Sequence, residues 1–393
     1  MPRTGHDDRA GLLVTRSLLF AGEGIGLYGA KYGGSKFRAH DKLTGEILAE
    51  VDMGVRQSGV PMTYAINGRQ YIVVAAGAAN RAGELVALTL SDEYRSIVAF
   101  LETFYTQFVP FFLFTVMVAM GLSLTVGNLL EVIRKPKAIA TGLCAQLLFL
   151  PSLAIGYGFL FGSPPVIAAG AIILAACPGG ITSNAYVFAS RADVALSIGL
   201  TTVASFITVF SVPFLTLLAL NLHMDRSAIP DLPATDMMWT LAQLTIVPVA
   251  VGMTFRWLRP EAALRLIEPL RVATLIALMV IVVIGTITAW DTIVENALTA
   301  GVLMTAINLT AMSFGYALGR ILRLPFPQVA SITFEVGVQN LSLALFVAFT
   351  FLQSPELAIA TLVYALIMKI TAMSFVGYVR KRLGDEHTAV EAT

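Results

Sequence analysis

The run Cys177-Pro178-Gly179-Gly180-Ile181-Thr182-Ser183-Asn184 lies inside an apolar stretch that reaches from about Val166 to Ser190. Proline and a glycine pair at such a place break the helical hydrogen-bond ladder and free backbone carbonyls and amides. Hydrocarbon offers those groups no partner, so a broken helix survives in a membrane only where protein or a polar cavity satisfies it. Ser183 and Asn184 follow at once and bring side-chain oxygens to the same depth. A second apolar stretch, about Phe326 to Leu352, carries Glu335-Val336-Gly337-Val338-Gln339-Asn340 at its centre. Two interrupted hydrophobic segments, one in each half of the chain, form the sequence pattern of a carrier's binding site.

Outward from these runs, composition sets the class. Of 393 residues, 56% are hydrophobic and 13% charged, far from soluble globular usage. The excess is uneven: residues 1 to about 90 alternate like a soluble protein, whereas Phe108 to Val379 is a succession of apolar blocks. A net charge of +1 argues for no nucleic-acid partner. Cys144 and Cys177 both fall inside predicted spans, so they are expected to pack rather than to cross-link. His6, His40, His223 and His387 form no cluster with ligand spacing, and no transition metal is expected. Met1 to Ala10 is polar and Gly11 to Phe20 is interrupted by Arg16, so no signal peptide is expected.

The first ninety residues read as β-structure. Strands are expected at Leu12–Phe20, Lys36–His40, Glu46–Val51, Val60–Ile66, Gln70–Ala76 and Glu84–Leu90. Asn67-Gly68 is a type I′ hairpin signal, and Asp41-Lys42-Leu43-Thr44-Gly45 a second tight turn. Gly22-Glu23-Gly24-Ile25-Gly26 lacks the strand–helix context of a phosphate loop and reads as a connecting loop.

After a short amphipathic lead-in, Ser91 to Tyr105, nine spans are expected near 106–126, 138–162, 166–190, 195–222, 237–258, 272–290, 301–320, 326–352 and 357–379. One set of connections and ends holds thirteen basic residues: Arg134, Lys135, Lys137, Arg191, Arg256, Arg259, Arg265, Arg271, Arg320, Arg323, Arg380, Lys381 and Arg382. The opposite loops hold Arg226. This asymmetry predicts a cytoplasmic carboxyl terminus and an amino-terminal segment outside. Trp239, Trp257 and Trp290 fall at predicted span ends, where an interfacial belt would put them. The broken third and eighth spans then run in opposite senses. Spans five to nine repeat spans one to four inverted, with one helix more.

The expected fold is therefore a polytopic α-helical membrane protein with nine transmembrane helices in an inverted repeat and two broken crossing helices. A small N-terminal all-β fragment precedes it. The expected parts are residues 1–90 (β), 91–105 (connector), 106–382 (transmembrane domain) and 383–393 (cytoplasmic tail).

Away from span ends, Glu335 and Lys369 are the charged residues of the nine spans. A carboxylate at mid-membrane is costly and marks function by default. Around it the sequence supplies neutral oxygens: Ser183, Asn184, Ser197, Thr201, Gln146 and Gln339. Ser197 and Thr201 are four apart, on one face of span four. Hard oxygens with one carboxylate suit a hard cation such as Na⁺ rather than a soft metal. Lys369 is about ten residues from the cytoplasmic end of span nine at Val379, roughly 15 Å at the helical rise. That exceeds the reach of its side chain, so it is expected to face the bundle interior or a wet cavity, as a partner of Glu335 or of an anionic substrate.

Two resemblances sharpen this reading. Ala39-His40-Asp41-Lys42-Leu43-Thr44-Gly45-Glu46, with Gly59 to Tyr64 and Tyr71 to Ala75, resembles the carboxyl-terminal end of PQQ-dependent, glucose-type dehydrogenases over residues 9 to 90. Ala49 stands where the docking motif of their propellers usually has tryptophan. The likeness implies one or two blades of a propeller that needs about eight, too little to enclose PQQ, which is not expected to bind. The runs Cys177 to Asn184, Arg191 to Ser197 and Glu335 to Asn340, with Met120-Gly121-Leu122 and Gln146, resemble the bile acid:sodium symporter family over about 106 to 382. That likeness implies two Na⁺ sites. The first would take Ser183, Asn184, Ser197, Thr201 and Glu335. The second would take Gln146, Glu335, Gln339 and the carbonyls of Val336 and Val338. Asn340 and Lys369 are expected at the substrate.

The function expected is a sodium-coupled symporter, not an enzyme, that carries a bile-acid-like or other carboxylate anion across the lipid of the cell membrane. The alternatives are a membrane-anchored fragment of a PQQ-dependent dehydrogenase and an inactive gene-fusion product.

Overall fold

The computed structural model describes residues 11–15, 18–23, 34–42, 44–66, 69–78, 81–89, 92–125, 127, 133–224 and 234–391. The chain separates into two units, Met1–Leu101 and Glu102–Thr393.

In the first unit, short runs of branched residues between turns make seven strands: β1 Leu13–Val14, β2 Leu18–Gly22, β3 Lys36–Asp41, β4 Ile47–Asp52, β5 Met62–Ile66, β6 Arg69–Ala78 and β7 Arg81–Leu88. They form an antiparallel sheet in the order β1-β2-β3-β4 and another in the order β5-β6-β7. The single strand expected over Leu12–Phe20 is a hairpin instead. The Thr15 hydroxyl donates to Leu18 O (3.1 Å) and accepts from Leu18 N (3.0 Å), closing a turn where the side chain competes with the ladder. The strand expected from Val60 begins at Met62, because Pro61 has no N–H to pair. The turn after β3 forms as expected: Gly45 N donates to Asp41 O (2.9 Å) and Thr44 N to Asp41 Oδ1 (2.7 Å), with Gly45 at φ +75°. Asn67 and Gly68 lie outside the described residues, but β5 and β6 pair from Met62↔Val73 to Ile66↔Arg69 around them. Gly24, Ile25 and Gly26 also lie outside; the Glu23 carboxylate takes the Arg38 guanidinium at 2.7 Å.

The helices are α1 Asp92–Thr103, α2 Val109–Ser123, α3 Pro136–Leu143, α4 Leu150–Leu160, α5 Pro165–Ala176, α6 Ile181–Ser190, α7 Val194–His223, α8 Ala234–Leu258, α9 Pro260–Thr288, α10 Trp290–Ile321, α11 Phe326–Gly337, α12 Leu341–Phe346 and α13 Ile359–Glu391. Among the described residues, seven helical stretches are long and apolar enough to cross a membrane: Ser96–Ser123, Pro136–Leu160, Val194–His223, Thr235–Leu258, Pro260–Thr288, Trp290–Ile321 and Pro355–Gly384. This is a polytopic membrane protein with small amino-terminal sheets. The expected third and eighth spans are each split, into α5 and α6 and into α11 and α12. The expected sixth span, 272–290, overlaps the longer α9 but ends beyond it, because α9 stops at Thr288 and Trp290 already opens α10. Arg265 and Arg271 end an apolar window, not a helix, and Pro260 begins the helix at its first position. Cys177 is buried as expected, but Cys144 faces outward, so that thiol does not pack in the core.

Proline shapes two of the long helices. Pro110 and Pro151 cannot donate to the carbonyl four residues back, and the ladder just before each relaxes into a π-helical stretch, Phe104–Phe108 and Cys144–Phe149. The second of these carries Gln146.

The approaches to the two breaks match residue for residue. Gly162 (φ +55°) and Arg323 (φ +54°) each end a long helix two residues before a proline. Ser163 N reaches Gly158 O at 3.2 Å as Leu324 N reaches Gly319 O at 3.0 Å. Pro164 and Pro325 then open α5 and α11, each of 12 residues. Beyond the second halves, Arg191 (φ +61°) and Gln353 (φ +50°) turn the chain back.

Helix α2 packs on α8 and α9, while α3 to α7 pack among α10 to α13. The α2–α8 crossing is set by Gly121 and Gly252. A Cβ on Gly121 would lie 2.3 Å from Val249 O, and one on Gly252 would lie 2.4 Å from Val118 O. Small residues are what let membrane helices approach this closely. Gly252→Ala is therefore expected to lower stability by about 1–3 kcal/mol through overpacking, read as a fall in the thermal midpoint of the purified protein. An unchanged midpoint would mean the helices do not meet backbone to backbone.

Candidate functional site

The two breaks meet. Gly179 and Gln339 form an isolated antiparallel bridge, and Asn340 N donates to Pro178 O at 2.9 Å. Backbone freed by Pro178 and the glycines thus finds its partner on the other broken segment, as an interior break requires. The carbonyl ends of α5 and α11 and the amide ends of α6 and α12 converge there.

Glu335 lies two residues before the end of α11 and is 1% exposed. Thr201 Oγ1 donates to its Oε1 at 2.6 Å. Ser183 Oγ and Ser197 Oγ approach Oε2 at 2.9 and 3.3 Å. These two donors are shared. The Ser183 hydroxyl is also 2.7 Å from Gly180 O, and that of Ser197 is 2.6 Å from Asn184 Oδ1. A hydroxyl has one proton to give, so among the described residues Thr201 is the only undivided donor to Glu335. None of the ion pairs among the described residues involves Glu335. The result is an acceptor-rich, donor-poor cluster around a buried carboxyl group that has no ion-pair partner among the described residues.

Local structure explains why these groups meet. Ser183 is in the first turn of α6, immediately after the break. Ser197 and Thr201 are successive turns of α7, whose start is fixed by Asp193. That carboxylate accepts from Leu196 N (3.1 Å) and pairs with Lys135 (2.8 Å). Gly179 clears the space: a Cβ there would be 2.1 Å from Glu335 Oε1.

A second cluster adjoins the first. Gln146 Nε2 donates to Cys177 O (3.0 Å) and to Gln339 Oε1 (2.8 Å), and Gln339 Nε2 donates to Val336 O (2.7 Å). Gln146 Oε1 is buried without a hydrogen-bond partner. An orphaned buried acceptor beside carbonyls released from the helical ladder fits a cation better than it fits a dry core.

Two expected residues behave differently. Asn340 is spent partly on structure: its Oδ1 accepts from Leu343 N at 3.1 Å and caps α12. Lys369 is not in the bundle interior and does not pair with Glu335. It is exposed on α13, on the face that also presents Leu366, Ile370 and Met373. Distance from the span end required a protected or wet setting; helical phase, which decides the direction, could be known only with the neighbours in place. Sequence reasoning also missed Asn308 and Tyr364. Both are buried, and both donate to Gly337 O at 2.9 Å. An Asn in an apolar helix was the available signal.

Thr201→Val, which removes the undivided donor, is expected to cost about 1.5–3 kcal/mol, the range for hydrogen bonds to charged groups. Ser197→Ala, at 3.3 Å and shared, should cost less. Equal thermal shifts in the two variants would contradict this ranking. Gly179→Ala should be worse than either, since its methyl group meets the carboxylate itself.

Residues 110–296 match the Sodium Bile acid symporter family, and residues 1–72 match the β-propeller domain of glucose/ethanol/alcohol dehydrogenases. The family match takes in Gln146, Ser183, Asn184, Ser197 and Thr201, and it ends before Glu335. The uncharacterized sodium-dependent transporter YocS of Bacillus subtilis is 27% identical over 61% of this chain and 73% of its own length. The ileal sodium/bile acid cotransporter of Homo sapiens is 26% identical over 67% of this chain and 76% of its own. The probable sodium/metabolite cotransporter BASS1, chloroplastic, of Oryza sativa subsp. japonica is 26% identical over 62% and 58%. Both resemblances carried by the motifs are thus borne out, the membrane segment being similar to sodium bile acid symporters and the segment before it to a quinoprotein propeller.

Proposed function

We propose that this chain is a sodium-coupled secondary carrier that moves an organic anion, bile-acid-like or another carboxylate, with Na⁺ as the coupling ion. The observation that carries the reading is the oxygen cluster at Glu335, buried and without an ion-pair partner among the described residues. Ser183, Asn184, Ser197, Thr201 and Glu335 would hold one Na⁺. Gln146, Gln339, Glu335 and the carbonyls of Val336 and Val338 would hold a second, where Gln146 Oε1 stands unpartnered. The relatives named for sodium-dependent transport support the choice of ion.

Counting each broken segment as one span, the chain crosses the membrane nine times in an inverted repeat. The matching approaches to the two breaks support this count. The excess of Lys and Arg puts the carboxyl terminus in the cytoplasm and the amino-terminal segment outside. Helices α3 to α7 and α10 to α13 would move as a core against α2, α8 and α9. Two Na⁺ with one monovalent anion carry one net charge, so the membrane potential adds about 2.3 kcal/mol per 100 mV. Asn340 and Lys369 would meet the anion from the side of the core. An exposed charge in the middle of a span belongs in a water-filled cavity.

Glu335→Gln keeps size and a hydrogen-bonding oxygen but removes the balancing charge. It is expected to abolish Na⁺-dependent thermal stabilisation and uptake in proteoliposomes while expression persists. Normal sodium dependence in that variant would sink the proposal.

The propeller-like segment carries no redox activity in this reading. Its described strands make a four-stranded and a three-stranded sheet, well short of a closed ring. Protein incubated with PQQ, Ca²⁺ and glucose is expected to reduce no dye above background; sustained reduction would favour the dehydrogenase alternative.

A further inference from the structure

Each of the two breaks has a side-chain amide set on a carbonyl at the end of its first half-helix, one position apart when counted from Pro164 and Pro325. Gln146, on the long helix before the first broken segment, donates to Cys177 O at 3.0 Å. Asn308, on α10 before the second, donates to Gly337 O at 2.9 Å. Each thereby holds a carbonyl released where the first half-helix ends, and each is left with a buried amide oxygen that has no partner. The likeness ends at charge. Counting from the paired prolines Pro164 and Pro325, the counterpart of Glu335 is Leu174, so the two breaks share one carboxylate.

The second break has an additional hold. Tyr364 OH donates to Gly337 O at 2.9 Å, and Asn308 Nδ2 also donates to Tyr364 OH at 2.9 Å. Three buried groups on α10, α11 and α13 thus form a closed triangle around one carbonyl. The amide orientation follows from the triangle, because a flipped Asn308 would aim its oxygen at Gly337 O. Next along the chain, Val338 is extended, φ −117° and ψ 102°. Successive carbonyls of extended backbone point to opposite sides, so holding Gly337 O toward α10 and α13 turns Val338 O the other way.

We infer that Asn308 and Tyr364 are positioning residues for the second Na⁺ site, acting through Gly337 O to present the Val338 carbonyl opposite Gln146. The inference rests on the carrier reading above. Neither residue touches the ion. What they supply is pre-organisation: without them the carbonyl ligand is one of several orientations of a broken backbone, and its ordering counts against ion binding.

The test uses the purified full chain, with NaCl titrated against choline chloride at constant ionic strength and the thermal midpoint as readout. Tyr364→Phe is expected to raise the half-saturating Na⁺ concentration about threefold to tenfold, the loss of one hydrogen bond, so that the midpoint falls further at limiting Na⁺ than at saturating Na⁺. Tyr364→Phe with Asn308→Leu should raise that concentration further than the two single changes combined, because the donor left in each single variant still restrains the carbonyl in part. Should Asn308→Leu fail to fold, Tyr364→Phe carries the test alone. In a Gln146→Leu background, where the second site is lost, Tyr364→Phe should no longer alter the Na⁺ response. A merely structural role would persist there, or would lower the sodium-free and sodium-saturated midpoints equally, and either result overturns the inference. No Na⁺ response in the unsubstituted chain would overturn the carrier reading itself. A normal response there that Tyr364→Phe leaves unmoved would overturn this inference alone.

Discussion

A single carboxylate buried among hydroxyls sets the terms for the rest of the membrane unit. Taking one ion out of water costs several kcal/mol even after the protein relaxes. Thr201, Ser183 and Ser197 offset that cost, but two of the three divide their protons with Gly180 O and Asn184 Oδ1. The surroundings each follow from this shortage. Gly179 is a glycine because the carboxylate occupies the space of its side chain. Helix α7 begins at a capped Asp193 so that Ser197 and Thr201, one turn apart, both face Glu335. The breaks themselves supply carbonyl oxygens that an intact helix would have used internally.

The breaks are held by more than each other. At the end away from them, Arg380 Nε donates to Ala189 O at 2.6 Å, and Arg382 lies 4.4 Å from the centre of the Phe326 ring. Arg382 also reaches the hydroxyls of Tyr316 and Tyr378, each at 2.9 Å. One helix, α13, therefore grips the last turn of α6 and the first residue of α11. Phe334 packs edge-on to Phe375 of the same helix and stacks on Tyr186 of α6. Helices α6, α11 and α13 are thus joined by specific polar and aromatic contacts, while Gly121 and Gly252 set the α2–α8 crossing.

The amino-terminal unit follows a different economy. Its turns are made by side chains, Thr15 and Asp41, and its charged network centres on Arg38, which reaches Glu23 and Glu50 at 2.7 Å each. β4 and β5 are exposed along their whole length. In a propeller, strands bury such faces against neighbouring blades, and an uncovered edge is open to pairing with other chains. The described strands have the local chemistry of a blade, in one four-stranded and one three-stranded sheet.

Sequence alone determined the membrane class, the two interruptions and the oxygen-rich set around Glu335. Each of these depends on local chemistry: apolar length, Pro and Gly in a helical run, and a charge that hydrocarbon does not tolerate. Strand identity in the first ninety residues was legible for the same reason, although Thr15 turned one expected strand into two. Tertiary structure decided what depends on direction and partner. It put Lys369 on an exposed face, because which way a helix turns its residues is set by the helices packed against it. It extended α9 beyond its apolar window, because arginines end a hydrophobic run without ending a hydrogen-bond ladder. And it brought Asn308 and Tyr364 onto Gly337 O, from positions 29 residues before and 27 after in the chain, because a carbonyl freed by a broken helix is claimed by whatever donor the fold carries to it, and no spacing in the sequence records that meeting.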